Sequence, residues 1–201
     1  MRLLISSFIM ILMLVTPVAA NEADAVRKMA SERINTVINH LRDQAIDKET
    51  RNSLVIKAIK PLFDFSQMAK LSMGKTNWLR MNKAQRAEFN DLFVKRLEES
   101  YLEKLDLYND EEVIVEEAES VKTRIHVLTR LVSDSNKIEM LYKFYKSRGG
   151  QWLVYDVEIM GVSIVQTYRS QFAGILENQS VEDLLKKLRQ AGSMKIETDN
   201  G

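Results

Sequence analysis

Apolar residues gather first at the N-terminus, where a mostly apolar run from Leu3 to Val15 follows Arg2 and breaks at Pro17. Beyond it the spacing becomes periodic. Val26, Met29, Ile34, Val37, Ile38 and Leu41 recur every three or four residues and predict a helix from Glu22 to about Ala45. Leu54, Val55 and Ile59 predict a second over Lys48 to Lys60, stopped by Pro61. Asp64 is placed to cap a short helix through Met68 and Leu71 that ends near Gly74. Asn82 precedes Gln85 by three residues, an Asn form of the capping box. The helix it opens carries the stripe Phe89, Leu92, Phe93, Leu97, Tyr101, Leu105 and Tyr108.

At Asn109-Asp110 the pattern turns from helical to alternating. Val113 and Val115 alternate with polar neighbours. Val121, Thr123, Ile125, Val127, Thr129 and Leu131 predict one face of a long strand, with Lys122, Arg124, His126, Leu128, Arg130 and Val132 on the other. Ser133 to Asn136 reads as a turn, Ile138, Met140, Tyr142 and Phe144 as the next apolar face, and Gly149-Gly150 as a hairpin turn. Leu153, Tyr155, Val157 and Ile159 predict the apolar face of a fourth strand, opposite a mixed face of Trp152, Val154, Asp156, Glu158 and Met160. Gly161 ends the sheet. Ser163 can cap a helix bearing Ile164, Tyr168, Phe172 and Ile175, and Ser180 with Asp183 opens a last one bearing Leu184, Leu185 and Leu188. Helices, an antiparallel meander and more helices make an α+β fold, with helices packed over one face of a curved, twisted antiparallel sheet of about four strands.

The N-terminal run changes this picture. A base, an apolar stretch, a proline and then Val18-Ala19-Ala20 are the parts of a secretory signal, so residues 1–20 are expected to be a cleaved signal peptide. An uncleaved anchor is the competing reading, but a span needs roughly 20 apolar residues. No cysteine follows the cleavage point to carry a lipid. The expectation is one domain over residues 21–192, a polar tail at 193–201, and no transmembrane span in the mature chain.

Composition narrows the chemistry. Of 201 residues none is cysteine and two are histidine, His40 and His126, which excludes a disulfide scaffold, a thiol nucleophile and a thiolate metal site. Lys+Arg number 29 against 28 Asp+Glu, so nothing suggests nucleic-acid binding through a strong overall field. Both histidines read as solvated side chains rather than as the base of a catalytic triad. No phosphate-cradling glycine loop, HExxH or EF-hand pattern occurs. Asp156 and Glu158 share a strand face, where a pocket carboxylate could serve as a general base; the plainer reading is a solvated or helix-contacting face. The acidic run Asp110 to Glu119 reads as a solvated edge and loop. Between Val121 and Gln151 seven basic residues oppose Asp134 and Glu139, a basic sheet face that could meet phosphates, an acidic partner or only water.

Several segments resemble one family. Pro61-Leu-Phe-Asp64-Phe65-Ser-Gln-Met68, Met73-Gly74-Lys-Thr-Asn-Trp78 and Ala84-Gln85-Arg86-Ala87-Glu88-Phe89 are similar to the MlaC/Ttg2D family. So are Trp152-Leu-Val-Tyr155-Asp156-Val157-Glu-Ile-Met-Gly161-Val162-Ser163 and Tyr168-Arg169-Ser170-Gln171-Phe172. Asn82-Lys83 stands where that family often has Thr-Pro, and Met73-Gly74 where Leu-Gly is usual. The resemblance implies a periplasmic phospholipid-binding component of the Mla transport system, also called a toluene-tolerance auxiliary protein, with an NTF2-like or MlaC-like fold. Its implied partners are a phospholipid, the inner-membrane Mla ABC transporter complex and the outer-membrane Mla lipoprotein complex. Its implied role is a soluble shuttle that maintains outer-membrane lipid asymmetry, without cofactor, metal or catalytic residues. Related carriers of hopanoids or other lipids, an NTF2-like enzyme using Asp156 or Glu158, and an adaptor without a pocket are the alternatives.

Lipid carriage sets physical demands. A diacyl lipid in water exposes about 30 methylenes at roughly 0.8 kcal/mol each, on the order of 24 kcal/mol. A pocket for it needs roughly 700–1,000 Å³. Leaving 700 Å³ empty would cost about 17 kcal/mol at ~24 cal/mol per Å³, more than the usual stability of about 5–15 kcal/mol. The empty protein is therefore expected to narrow its pocket or keep a ligand. The wall candidates are Phe93, Leu97, Tyr101, Ile125, Val127, Tyr142, Phe144, Leu153, Tyr155 and Val157.

Overall fold

Side-chain caps set the helix starts. Asp47 accepts the Thr50 N–H at 2.9 Å before α2 (Lys48–Ile59), and Asp64 accepts the Gln67 N–H at 2.8 Å before α3 (Phe65–Met73). Asn82 and Gln85 bond each other's backbone N–H at 2.9 and 3.0 Å, the reciprocal box expected before α5 (Lys83–Leu105). Ser163 caps α6 (Ile164–Asn178) through Gln166 N at 3.1 Å. Ser180 and Asp183 form a second reciprocal box before α7 (Val181–Gln190).

The computed structural model describes residues 18–105, 111–133 and 137–190, with side chains in the first range described from 21 to 101. Most of the expected signal peptide, the turn at 134–136, Asn109-Asp110, the polar tail, Tyr108 and the Leu105 side chain lie outside the described residues. α1 (Val18–Arg42) contains most of the helix expected from Glu22 and is described from before the expected cleavage point. Pro61 stands in the first turn of a 3-10 turn, Lys60–Leu62, where its missing N–H costs nothing. A further helix, α4 (Lys75–Arg80), has no counterpart in the apolar pattern. It starts without a side-chain cap, at Gly74, whose φ of +74° both ends α3 and turns the chain into α4. Among the described residues no helix is long and apolar enough to cross a membrane.

The sheet is a curved antiparallel meander of five strands in sequence order: β1 (Glu112–Val121), β2 (Arg124–Val132), β3 (Lys137–Lys146), β4 (Trp152–Ile159) and β5 (Val162–Ser163). The acidic run assigned to an edge and loop is mostly edge strand β1. Val121 and Thr123 accordingly leave the long strand assigned to them: Val121 ends β1, and Lys122-Thr123 is a two-residue turn with Lys122 at φ +57°. Nothing in those residue types announces the turn. The β4–β5 turn, by contrast, uses Met160 and Gly161 at φ +50° and +80°, the double left-handed geometry of a tight hairpin.

A bulge in β4 corrects the face assigned to that strand. Lys143 pairs with Asp156 but Phe144 pairs with Val154, so Tyr155 is the extra residue and the alternation slips by one. Val154 and Val157, not Leu153 and Tyr155, lie on the face of Phe144 and Tyr142. A second bulge in β1 separates Val115 from Ala118. α1 packs against β1 and β2, while α3 and α6 pack against β4. Their buried residues and those of the sheet form one apolar cluster.

Candidate functional site

The site is built on the core face of the sheet, whose rows follow from the register. Ile125, Phe144 and Val154 form one row, and Ala118, Val127, Tyr142 and Val157 the next. Val115, Thr129, Met140 and Ile159 form a third, with Val113, Leu131 and Ile138 beyond it. The first row is shut: Phe144 and Val154 have no accessible surface and Ile125 has 2%. Val127 and Thr129 are also at zero. A side chain without accessible surface touches no void that a water could enter.

Towards the other end the face opens. Tyr142, Met140, Ile159, Leu131, Ile138, Val113 and Val115 are all half-buried. The Tyr142 hydroxyl donates to the Met140 sulfur at 3.8 Å. Burial pushes its pKa up to about 12, with a hydrogen bond to Thr129 acting the other way. The result is an apolar layer closed at the Val154 end and partly open at the Met140–Ile159 end.

Eight of the ten wall candidates meet in or beside this layer. Phe93 is fully buried in an aromatic cluster with Phe89, Tyr168 and Phe172, at ring separations of 6.0, 5.3 and 6.4 Å. Leu97 is buried one turn on, and half-buried Tyr101 follows. Burial raises the Tyr101 pKa, with Tyr168 and Asp156 adding to the shift. The other two, Leu153 and Tyr155, are placed by the bulge on the opposite face. There Tyr155 meets Tyr145 edge-on at 6.0 Å, and the Arg124 guanidinium lies 5.1 and 5.2 Å from the two rings. Sequence reasoning placed Met140 and Ile159 on apolar faces but left them out of the wall, and it put Val154 on the wrong face. The Val154 position is legible only once a bulge is allowed between Val154 and Val157.

Asp156 and Glu158 do share a face, but it is the far one, and both are engaged. Asp156 is 5% exposed. It accepts from Ser163 Oγ at 2.8 Å, from the Val165 N–H at 3.2 Å and from Lys143 Nζ at 3.2 Å. Lys143 also pairs with Glu158. Burial works to lower the Lys143 pKa, but its bonds to Glu158 and Asp156 outweigh it and raise it overall. These contacts hold the start of α6 against β4. They leave the Asp156 oxygens committed to fixed donors, which is a poor arrangement for a general base.

The basic surplus of the same strands is largely neutralised where it lies. Arg130 pairs with Glu116 and Glu139, Lys137 with Glu139, Lys143 with Asp156 and Glu158, and Lys146 with Glu22. Two surface depressions, of about 540 and 370 Å³, lie away from the core face. One is lined by α2 residues such as Asn52 and Ile56, the other by Phe65, Asn90 and Val94 among others. Neither includes a wall candidate.

Comparison with known proteins gives the lineage. The sequence profile described as MlaC protein matches residues 28–190. The intermembrane phospholipid transport system binding protein MlaC of Haemophilus influenzae is 25% identical over 117 residues. That match covers 56% of this chain and 55% of the relative, so the chain spans about half the length of that protein. The solved structure of a phospholipid-binding protein from Ralstonia solanacearum, in complex with a phospholipid, shares the fold. It aligns at a TM-score of 0.72 and 22% identity, covering 82% of this chain and 94% of that one. With the profile running from within α1 to the end of α7, the chain belongs to the MlaC family.

Proposed function

We propose that this protein is a periplasmic phospholipid carrier that encloses acyl chains between the helices and the core face of the sheet. It shuttles lipid between outer-membrane and inner-membrane Mla complexes and so maintains outer-membrane lipid asymmetry. The observation that carries the reading is the gradient along the core face, dry at Val154 and half-open at Met140, Tyr142 and Ile159. An apolar layer that closes at one end and opens at the other suits a chain-like apolar cargo. The relatives' names, a phospholipid transport binding protein and a phospholipid-binding protein, support the same cargo. A pocket of lipid size is costly to leave empty, so the carrier narrows it or keeps a ligand. Carriage of this kind needs no catalytic group. A secretory segment at residues 1–20 supplies the route to the periplasm.

Export, purification and lipid extraction with native mass spectrometry test the reading. Phospholipid should copurify or be taken up from vesicles. Val127→Glu should abolish loading, because the carboxylate would be desolvated without a partner. Met140→Glu makes the same test at a half-buried position where the fold tolerates the change better. A well-folded wild-type protein that never binds lipid, or normal loading by folded Met140→Glu, refutes the site.

A further inference from the structure

Counting charges along the sequence draws attention to the sheet, where most cations are paired, but a second basic stretch lies on the helices. From Ser66 to Ala87 the chain contains Lys70, Lys75, Arg80, Lys83 and Arg86 and no acidic residue. This stretch covers most of α3, all of α4 and the start of α5. The acids that flank it are occupied: Asp64 caps α3 and accepts from the Tyr145 hydroxyl, and Glu88 pairs with Arg189. Arg86 is pinned, donating to the Trp78 carbonyl at 3.0 Å with its guanidinium 5.5 Å from the Trp78 ring. Lys70, Lys75, Arg80 and Lys83 are exposed and have no ion-pair partner among the described residues. Arg169 of α6 joins them, its Nε 3.4 Å from where a Cβ on Gly74 would stand. Amid these cations Leu79 is 66% exposed, beside a half-buried Trp78.

We infer that the α4 corner is a docking surface for the anionic face of a phospholipid bilayer. Leu79 enters the boundary between headgroups and acyl chains, while Lys75, Arg80, Lys83 and Arg169 lie among the lipid phosphates. Leucine and tryptophan ringed by lysine and arginine is the composition of a membrane-surface contact. A stable protein interface needs about 1,000 Å² or more with an apolar centre. A six-residue helix about 9 Å long, bearing one exposed leucine, offers far less. A uniformly negative surface also needs no matching pattern of acids and bases on this side. The docking surface rests on the carrier reading only for its purpose, because vesicle binding and cargo content are measured separately.

Flotation of the purified protein with vesicles tests it. Phosphatidylcholine vesicles containing about 30% phosphatidylglycerol should carry the protein upward, and binding should fall steeply as salt rises towards ~0.5 M. Pure phosphatidylcholine should not carry it. Lys75→Gln, Arg80→Gln and Lys83→Gln should each weaken binding about fivefold, and Leu79→Ser should weaken it further. Extracted lipid per protein should stay unchanged in all four variants. Equal binding to neutral vesicles, no binding to anionic ones, or unchanged binding when Lys75→Gln, Arg80→Gln and Lys83→Gln are combined overturns the surface. Retention on immobilised polyglutamate without vesicle binding would assign the patch to an acidic protein and overturn it equally. Vesicle binding by a protein that never holds lipid would support the surface and strike the carrier reading instead.

Discussion

Replacing Asp156 by Asn separates a fold-holding carboxylate from a catalytic one. In the structure Asp156 takes three hydrogen bonds, from Ser163, Val165 and Lys143, with its side chain almost wholly buried. Asparagine keeps one acceptor oxygen, so it can hold the Val165 N–H but loses the charge that faces Lys143. The Lys143 side chain is only 17% exposed, yet it retains Glu158 as a partner. A hydrogen bond to a charged group contributes about 1.5–3 kcal/mol, and full removal of a buried partner costs about 3–5 kcal/mol. Asp156→Asn should therefore cost about 2–3 kcal/mol and Asp156→Ala about 4 kcal/mol. With an m-value of about 2 kcal/mol per molar urea, the Asn variant should unfold about 1 M earlier. Adding Lys143→Met should recover part of the loss, a coupling of about 1–2 kcal/mol in a double-mutant cycle. Lipid bound per folded molecule should not change, since Asp156 faces away from the core layer. A urea midpoint within ~0.2 M of wild type, or lipid transfer lost at unchanged stability, would refute the structural role.

Two further outcomes follow from the same core and sheet. The Tyr168 hydroxyl is buried with no hydrogen-bond partner, so Tyr168→Phe should leave stability unchanged or raise it by about 1 kcal/mol in urea titration; a clear loss would show that the hydroxyl is satisfied. Burial first, and Lys143 second, hold the His126 pKa below its ordinary value, with Glu119, Glu158 and Asp156 opposing. The folded state thus resists protonation more than the unfolded chain does. Stability from this site is present above about pH 6.5 and is lost as pH falls through the folded pKa. The urea midpoint should drop between pH 7.5 and pH 5, and His126→Asn should flatten that slope; an unaltered slope in the variant would disprove the linkage.

Features that one side chain announces to its neighbours were legible in the sequence. Asn82 with Gln85, Ser180 with Asp183, Asp64 and Ser163 all cap the helices their spacing predicts. The meander and its apolar rows on β2 and β3 were legible for the same reason, since strict alternation has only one reading. The bulge was not. Trp152-Leu-Val-Tyr-Asp-Val offers apolar residues on both faces, so only pairing with β3 decides which set turns inward. That single slip moved Leu153 and Tyr155 out of the layer and brought Val154 in. α4 was equally hidden, because Gly74 starts it through backbone geometry and no side chain caps it. Likewise the Lys122 turn is imposed by the pairing of β1 with β2 and not by glycine.

Asp64 gives the layer a fixed corner. Its carboxylate starts α3 and receives the Tyr145 hydroxyl, while its own N–H donates to the Val154 carbonyl at 2.9 Å. Phe63 extends this contact as a parallel bridge along the rim of β4. Helix, sheet rim and outer face are thus clasped at the end where the core is dry. Ile159 lies five residues further along β4, about 16 Å away. Parting helices from sheet at the clasp would break all of these bonds, and towards Ile159 it would break the Asp156 bonds to Ser163 and Val165 that hold the start of α6. β4 is thus stapled to the helices at both of its ends, and the half-buried row of Val113, Leu131 and Ile138 lies beyond either staple.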